Sequence, residues 1–229
     1  MAGRVKMLPG TEGLTRDGFA VLRGALDASA CDELIRGYDD DARYRSTVVM
    51  QRHNFGRGEY RYFAYPLPPL VRELRENFYA ALAPIANEWN ASLGLAESYP
   101  PTLDAFVAEC AKAGQKRPTP LILRYEAGDF NALHQDVYGE RAFPLQVTIY
   151  LSGRRSYEGG ETVLAFQRPR AQSVARVLTF ERGDALVFPN RMRPVEGTRG
   201  FYRENVRHGV SAVTAGERYA LGLVMADAK

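Results

Sequence analysis

From residue 121 to its end, the chain is a series of short apolar or alternating runs separated by Gly, Pro and Asp. Five runs are strand candidates, at residues 121–125, 145–151, 162–166, 185–188 and 219–225, and residues 174–180 are a sixth. Runs of this length with turn residues between them are typical of antiparallel all-β architectures. The pattern predicts an α+β protein with a mainly β core, a jelly-roll barrel backed by N-terminal helices.

The first half of the chain carries helical periodicity instead. Apolar residues recur at helical spacing between residues 70 and 93, namely Leu74, Phe78, Leu82, Ile85 and Trp89. This spacing predicts a long helix, and a shorter one is expected at residues 103–113. A strand at residues 18–26 should lead into a helix that Asp27 caps and that runs to residue 38.

The 229 residues suit one integrated domain with two regions. Residues 1–120 would supply the strand and helical support and a substrate loop region, and residues 121–229 the jelly-roll catalytic core. The substrate loop is expected at residues 43–69, which show little periodicity and many Arg, Tyr and Phe side chains.

Two of the three histidines belong to one motif. The chain reads His134-Gln135-Asp136, with His208 seventy-four positions after the first histidine. Two imidazoles and one carboxylate are the ligand set of non-haem Fe(II) oxygenases. Residues i and i+2 of a β-strand project from the same face, so His134 and Asp136 can hold one ion there. We therefore predict a metal site at His134, Asp136 and His208, which are also the candidate catalytic residues.

An arginine follows the last of these ligands by ten residues. The planar guanidinium of Arg218 suits a carboxylate, because its N–H groups bind both oxygens at once. A cosubstrate carboxylate is therefore its predicted partner.

The surroundings of these residues resemble the Fe(II)/2-oxoglutarate dioxygenase superfamily over most of residues 121–226. The similar features are Leu123-Arg124-Tyr125-Glu126-Ala127-Gly128, Gly159-Gly160-Glu161-Thr162, Gly183-Asp184-Ala185-Leu186-Val187-Phe188, Arg207-His208-Gly209-Val210 and Glu217-Arg218-Tyr219-Ala220-Leu221. The resemblance implies a double-stranded β-helix, with Fe(II), 2-oxoglutarate and O2 as cofactors and ascorbate as reductant. It also implies that Arg218 and Tyr125 hold the distal carboxylate of 2-oxoglutarate, which is decarboxylated to succinate while a substrate C–H bond is hydroxylated.

A narrower resemblance is to prokaryotic oxygenases associated with damaged nucleic acids. It covers residues 133–140, 143–146, 167–170, 193–200 and 207–210, and its Leu-His-Gln-Asp core is similar to AlkB-type repair dioxygenases. It implies oxidative demethylation of an alkylated base in single-stranded or flipped-out nucleic acid. Candidate substrate residues are Tyr138 beside the metal and Arg57, Tyr60 and Tyr62 in the loop, with Arg52, Arg61 and Phe63 close by. Most of these side chains are individually as well explained as core between helices and barrel.

Other readings stay open. The ten-residue interval from His208 to Arg218 is closer to prolyl hydroxylases than to AlkB-type enzymes, so a protein or peptide hydroxylase is the main alternative. A small-molecule hydroxylase is the next alternative. A barrel that binds metal or ligand without turnover is a third reading, which the intact motif disfavours.

Charge and cysteine content add two expectations. Residues 154–218 hold 12 arginines, no lysine and 7 acidic residues. A basic face there could attract a phosphate-bearing substrate, or the arginines could simply be solvated. Cys31 and Cys110 are too few for a disulfide framework, and no signal-peptide or membrane-spanning run is present. We expect a cytoplasmic protein without a membrane partner.

Overall fold

The computed structural model describes residues 12–136 and 139–229. Within them, the α-helices are α1 (Glu12–Arg16), α2 (Ala28–Arg36), α3 (Pro69–Ser92) and α4 (Leu103–Lys112). The strands of the first half are β1 (Ala20–Leu22), β2 (Tyr44–Val49), β3 (Gly56–Arg57) and β4 (Glu59–Phe63). The second half supplies β5 (Leu121–Tyr125), β6 (Phe130–His134), β7 (Leu145–Tyr150), β8 (Tyr157–Gly159), β9 (Thr162–Gln167), β10 (Val174–Leu178), β11 (Ala185–Pro189), β12 (Met192–Gly197), β13 (Gly200–Val210), β14 (Val213–Gly216) and β15 (Arg218–Val224). Short 3₁₀ turns occupy Asp41–Arg43 and Met50–His53.

Two antiparallel sheets face each other. The major sheet has seven strands in the order β1-β11-β7-β15-β5-β4-β2. The minor sheet follows the order β10-β9-β13-β6-β3, and β12 forms a hairpin with the first half of β13. A small separate ladder joins β14 to β8. Because β1, β2 and β4 belong to the major sheet, the first half of the chain builds part of the barrel as well as its helical support.

Side-chain alternation along the major sheet divides the protein into layers. On β7, Leu145, Val147 and Ile149 pack in the core shared with helices α2, α3 and α4. The intervening positions of that strand, among them Gln146 and Tyr150, face the space between the sheets. This period of two follows from the pleat of a β-strand. One face of the sheet is thus held by the helices, and the other is free to build a site.

Most of the predicted elements are confirmed. Helix α3 spans Pro69–Ser92 against a prediction of residues 70–93, and β5 has the predicted bounds. The Asp27 side chain accepts a hydrogen bond from the Ala30 amide and caps α2 as expected. No helix among the described residues is long and apolar enough to cross a membrane.

The prediction of a loop at residues 43–69 is wrong. Strand β2 pairs with β4, and β4 pairs with β5, so this segment forms one edge of the major sheet. On β4 the inward positions Tyr60 and Tyr62 line the cavity, while Arg61 on the other face lies 4.5 Å from the centroid of the Tyr38 ring. The strand does alternate charged and aromatic residues from Glu59 to Tyr62, but four residues are the shortest run in which such alternation indicates a strand.

Candidate active site

A cavity of about 330 Å³ lies between the two sheets. Its walls come from the inward faces of β4, β5, β7 and β15 in the major sheet and from β6, β9 and β13 in the minor sheet. The three predicted metal ligands, Arg218 and Tyr125 all line it. The barrel therefore brings together residues that are up to 93 positions apart in the chain.

The two histidines and the aspartate converge in this cavity. One ligand atom from each of His134, Asp136 and His208 lies within 4.8 Å of the others. The Asp136 carboxylate is 3.1 Å from His208 Nε2 and 3.5 Å from His134 Nε2. The two imidazole centroids are 4.2 Å apart, since His134 and His208 are direct cross-strand partners on β6 and β13. Two nitrogens and a carboxylate at this separation form a donor set suited to a first-row transition metal.

Asp136 does not share a strand with His134, contrary to the expectation. Strand β6 ends at His134, and Asp136 lies two residues beyond it. The side chain of Gln135 fixes the segment between them by donating to the carbonyls of Arg191 (2.8 Å) and Val206 (2.9 Å). The carboxylate is thus positioned by a tethered turn rather than by the strand pleat.

A β-bulge also shapes this part of the site. His208 pairs with His134 and Val210 with Asn131, so β6 has one more residue than β13 over this stretch. An extra residue re-aims the side chains on the bulged strand. As a result Asn131 and His134, three positions apart, both line the cavity.

Hydrogen bonds and charge set the protonation of the three residues. His134 Nδ1 lies 2.7 Å from the Ala132 carbonyl, which makes Nδ1 the donor, so in the neutral ring Nε2 keeps its lone pair on the side of Asp136 and the cavity. Burial acts to raise the pKa of Asp136, but the two imidazoles beside it hold that pKa well below its usual range. Burial lowers the pKa of His208. A carboxylate that stays ionised beside a neutral imidazole is ready to bind a cation.

Arg218 is a buried cation without an acidic partner. Its side chain is 2% exposed, and no carboxylate of the described residues is within ion-pair distance. Nη2 donates to Thr162 Oγ1 at 3.3 Å, while Nε and Nη1 are buried and have no hydrogen-bond partner in residues 12–136 and 139–229. The guanidinium lies 5.3 Å from the ring centroids of both Tyr125 and Tyr150. Such a group is costly to bury unless an anion joins it.

Tyr125 and its neighbours complete the pocket around Arg218. Tyr125 is the cross-strand partner of Arg218, and burial raises its pKa to about 12. Asn131 Nδ2 donates to the Tyr125 hydroxyl at 3.3 Å, which leaves the tyrosine proton available to an acceptor. Tyr150 bonds the Thr162 hydroxyl at 2.8 Å. These neutral groups offer hydrogen bonds to an anion without cancelling the charge of Arg218.

The turn before Thr162 needs its two glycines. Gly159 has φ +68° and Gly160 φ +63°, a conformation that L side chains rarely adopt. A Cβ on Gly160 would lie 3.1 Å from Arg218 Cδ and 2.9 Å from Val213 Cγ2. The Gly-Gly pair therefore lets the backbone approach the arginine closely.

The predicted substrate residues have different locations. Tyr60 and Tyr62 line the cavity and meet edge to face, with ring centroids 5.4 Å apart. The exposed Arg57 is outside the cavity lining, with Nε 3.8 Å from Asp129 Oδ1. Tyr138 lies outside the described residues. Phe63 is part of the core beneath the helices.

Sequence reasoning missed several residues of the site. Asn131, Gln146, Tyr150 and Thr162 all line the cavity. Gln146 Nε2 lies 3.3 Å from His208 Nε2. A signal was present for this one, since a glutamine inside the apolar strand β7 faces the cavity rather than the helical core. At Asn131 the bulge hid the signal, because a three-residue spacing from His134 predicts opposite faces.

Comparison with known proteins identifies relatives of the whole site. Residues 58–228 match an oxygenase family described as an oxygenase catalysing oxidative methylation of damaged DNA. The chain is 47% identical over 167 residues to proteins of two Mycobacterium tuberculosis strains, CDC 1551 and H37Rv, each named as an uncharacterized protein. That alignment covers 72% of this chain and 72% of each relative.

Solved structures of similar fold include prolyl hydroxylases. A Pseudomonas putida prolyl-4-hydroxylase matches with a TM-score of 0.54 and 14% identity, over 95% of this chain and 96% of that one. A collagen prolyl hydroxylase of Paramecium Bursaria Chlorella virus-1 matches with a TM-score of 0.53 and 16% identity, over 90% of this chain and 94% of that one. A 2OG-Fe(II) oxygenase-family oxidoreductase from Burkholderia pseudomallei matches with a TM-score of 0.51 and 18% identity, over 97% of this chain and 95% of that one. At these identities the likeness shows the fold, and the predicted jelly-roll barrel is confirmed.

Proposed function

Since the chain belongs to the family of oxygenases associated with damaged DNA, we propose that it is an Fe(II)- and 2-oxoglutarate-dependent dioxygenase that demethylates alkylated bases in nucleic acid. The observation that carries this proposal is one cavity holding a His-Asp-His cluster together with a buried, unpaired arginine. Insertion of oxygen into an N-methyl C–H bond gives a hemiaminal, which collapses to formaldehyde and the free N–H. The proposed reaction is therefore the removal of the methyl group.

Three residues would hold Fe(II), namely His134, Asp136 and His208. When bound, the metal with 2-oxoglutarate and O2 supplies the oxidant for C–H hydroxylation, with release of succinate and CO2. The chain itself supplies orientation. Gln135 fixes the aspartate, and the Ala132 carbonyl fixes the His134 tautomer, as ligand-supporting hydrogen bonds do at metal sites.

Arg218 and Tyr125 would bind the distal carboxylate of 2-oxoglutarate. Nη1 and Nη2 of Arg218 lie on one edge of the guanidinium, and this edge can donate to the two carboxylate oxygens. The Tyr125 hydroxyl, which already accepts from Asn131, can donate its own proton to the same group. Burial of both side chains removes water that would compete for these hydrogen bonds.

The substrate would enter past Tyr60, Tyr62 and Phe55. All three line the cavity, and Phe55 is 44% exposed at its mouth. Aromatic side chains at a cavity mouth suit an unstacked base, since every base has a face that stacks on an aromatic ring. Residues 1–120 and 121–229 would act as one integrated domain, because Tyr60 and Tyr62 come from the first half and the metal ligands from the second.

A protein or peptide hydroxylase is the second candidate. One feature of this sequence favours it, the ten-residue interval from His208 to Arg218. The two candidates differ in their products. Demethylation releases formaldehyde, whereas hydroxylation of a peptide carbon leaves a stable alcohol.

The test measures succinate and formaldehyde together. The protein is given Fe(II), ascorbate and 2-oxoglutarate, with single-stranded oligonucleotides that carry an N-methylated base or the same strands without the methyl group. We expect succinate and formaldehyde in equal amounts from the methylated strand alone. The Asp136→Ala variant, which lacks the carboxylate ligand, is the matched control. Basal succinate that methylated strands leave unchanged would refute the nucleic-acid substrate, and stimulation by a proline-containing peptide would favour the second candidate.

A further inference from the structure

A second cavity, of about 200 Å³, borders the first at Asp136. It lies between the end of α3, the segment that follows that helix, and the turn between β11 and β12. Its lining includes Trp89, Leu93, Leu95, Tyr99, Phe143, Pro144, Asn190, Arg191 and Met192. None of the metal and cosubstrate chemistry above uses this space beyond the shared aspartate.

Asn190, which lines this second cavity, has one polar atom without a partner among the described residues. The Asn190 side chain is 5% exposed, and its Nδ2 donates to the Phe143 carbonyl at 2.7 Å. That bond fixes the amide orientation, since a carbonyl can only accept. Oδ1 is consequently held as an acceptor, and it is buried without a hydrogen-bond partner in the described part of the chain. A buried unpaired carbonyl costs on the order of 1–3 kcal/mol, so a ligand with an N–H donor would satisfy it.

The remaining walls favour a flat ring. Trp89, Tyr99 and Phe143 are each at most 6% exposed, so the surface they offer is dry and aromatic. The volume equals about seven waters at roughly 30 Å³ each, which is below the usual range for a drug-sized ligand. A single planar ring with one N–H group fits both the size and the acceptor.

The rim has the charge that a nucleotide backbone requires. Arg191 is exposed, lines the cavity and forms no ion pair with a described residue. The lining has two acids: Glu97 is 2.6 Å from the Arg141 guanidinium, and Asp136 lies beside the two imidazoles of the metal site. A phosphate passing the rim on the Arg191 side would meet a cation that has no acidic partner among the described residues.

From these features we propose that the second cavity binds the nucleobase next to the one that reacts, with its exocyclic amine donating to Asn190 Oδ1. The proposal rests on the proposed function, because it assigns the neighbouring nucleotide of the same strand. Asp136 borders both cavities, so consecutive nucleotides of an extended strand could enter them together. An apolar amino-acid side chain would fill the space but leave Oδ1 without a donor.

Trp89 makes the second cavity directly observable, because it is the only tryptophan in the chain. The protein is loaded with Mn²⁺ and 2-oxoglutarate, so that no turnover occurs, and its fluorescence is followed as oligonucleotides are added. Each strand carries one N-methylated base. Three strands are compared, in which the two nucleotides that flank the methylated base both carry adenine, both carry purine (adenine without its amino group), or are both abasic. We expect a Trp89 emission change with adenine, binding weakened about tenfold with purine, and no emission change with the abasic strand.

Leu95→Phe, which fills the rim of the cavity, should abolish the emission change, whereas Leu67→Phe outside both cavities should retain it. An identical Trp89 response to adenine and abasic strands would overturn the proposal. A response to a proline-rich peptide, with no response to any of the oligonucleotides, would overturn it as well. With Fe(II) present, formaldehyde release without any Trp89 response would sink this inference and leave the demethylase assignment standing. A Trp89 response specific to adenine flanks, without formaldehyde release, would support this inference and refute the demethylase assignment.

Discussion

Replacing Arg218 by methionine should stabilise the protein and abolish cosubstrate binding at the same time. Arg218 is 2% exposed, and two of its nitrogens have no hydrogen-bond partner among the residues that the structure describes. In the absence of 2-oxoglutarate it is therefore a desolvated cation that no carboxylate of the described residues neutralises. Methionine has a similar length and no polar hydrogen, so it can occupy the same space between Tyr125 and Tyr150.

The magnitude follows from the contacts that are lost and relieved. Relief of two unsatisfied N–H groups is worth about 4 kcal/mol, taking about 2 for each. Against this stand two cation–π contacts at about 1 kcal/mol each and the Thr162 hydrogen bond at about 1. The balance is a gain of about 1 kcal/mol in the free energy of unfolding. For a protein of this size that gain raises the melting temperature by about 2–4 °C.

Addition of 2-oxoglutarate should make the wild type melt at a higher temperature than Arg218→Met. At a concentration of about 100 times its Kd, a ligand stabilises the folded state by about 2.7 kcal/mol, which corresponds to about 5–11 °C here. The wild type with Mn²⁺ should show this shift on addition of 2-oxoglutarate, and Arg218→Met should show none.

Thermal unfolding with Mn²⁺, with and without 2-oxoglutarate, measures both effects. Arg218→Lys is the matched control, because it keeps the charge and loses the planar fork, so it should show a reduced shift. The reasoning fails if Arg218→Met melts several degrees below the wild type without cosubstrate, or if 2-oxoglutarate shifts both proteins equally.

Three further changes test other parts of the site. Asp136→Ala should abolish Fe(II)-dependent succinate formation, and unchanged turnover would refute the metal assignment. Gln135→Ala removes two hydrogen bonds to backbone carbonyls and should weaken metal affinity about tenfold with little change in fold; equal affinity by titration would show that the turn is fixed without it. Gly160→Ala should cost about 1–2 kcal/mol from its positive φ and raise the KM for 2-oxoglutarate through the contact with the arginine, whereas an unchanged KM would separate the turn from cosubstrate binding.

Periodicity explains which elements were predictable. The 24 residues of α3 repeat their apolar side chains over several turns, and β5 is a short apolar run bounded by Pro120 and Gly128, so both were placed within a residue. Strand β4 has a weaker signal, because its alternation of charged and aromatic side chains covers only Glu59 to Tyr62. Four alternating residues inside a segment rich in Arg, Tyr and Phe are the minimum that indicates a strand, so a loop remained the alternative.

The site was predictable where chemistry fixes spacing and unpredictable where backbone geometry does. His134, Asp136 and His208 converge as expected from their types and order. The role of Gln135 and the inward direction of Asn131 depend on a turn and on one extra residue in β6, which no residue spacing encodes.

Unsatisfied buried groups point to ligands more sharply than the shape of a cavity does. Most buried polar atoms in a folded protein have a partner, because each one without a partner costs free energy of folding. Here the reaction cavity contains an arginine with two unused donors, and the adjoining cavity contains an asparagine with one unused acceptor. Opposite requirements follow: the first space calls for an anion and the second for a neutral N–H donor. An extended nucleic-acid strand with 2-oxoglutarate meets both, whereas a single small cosubstrate meets only the first.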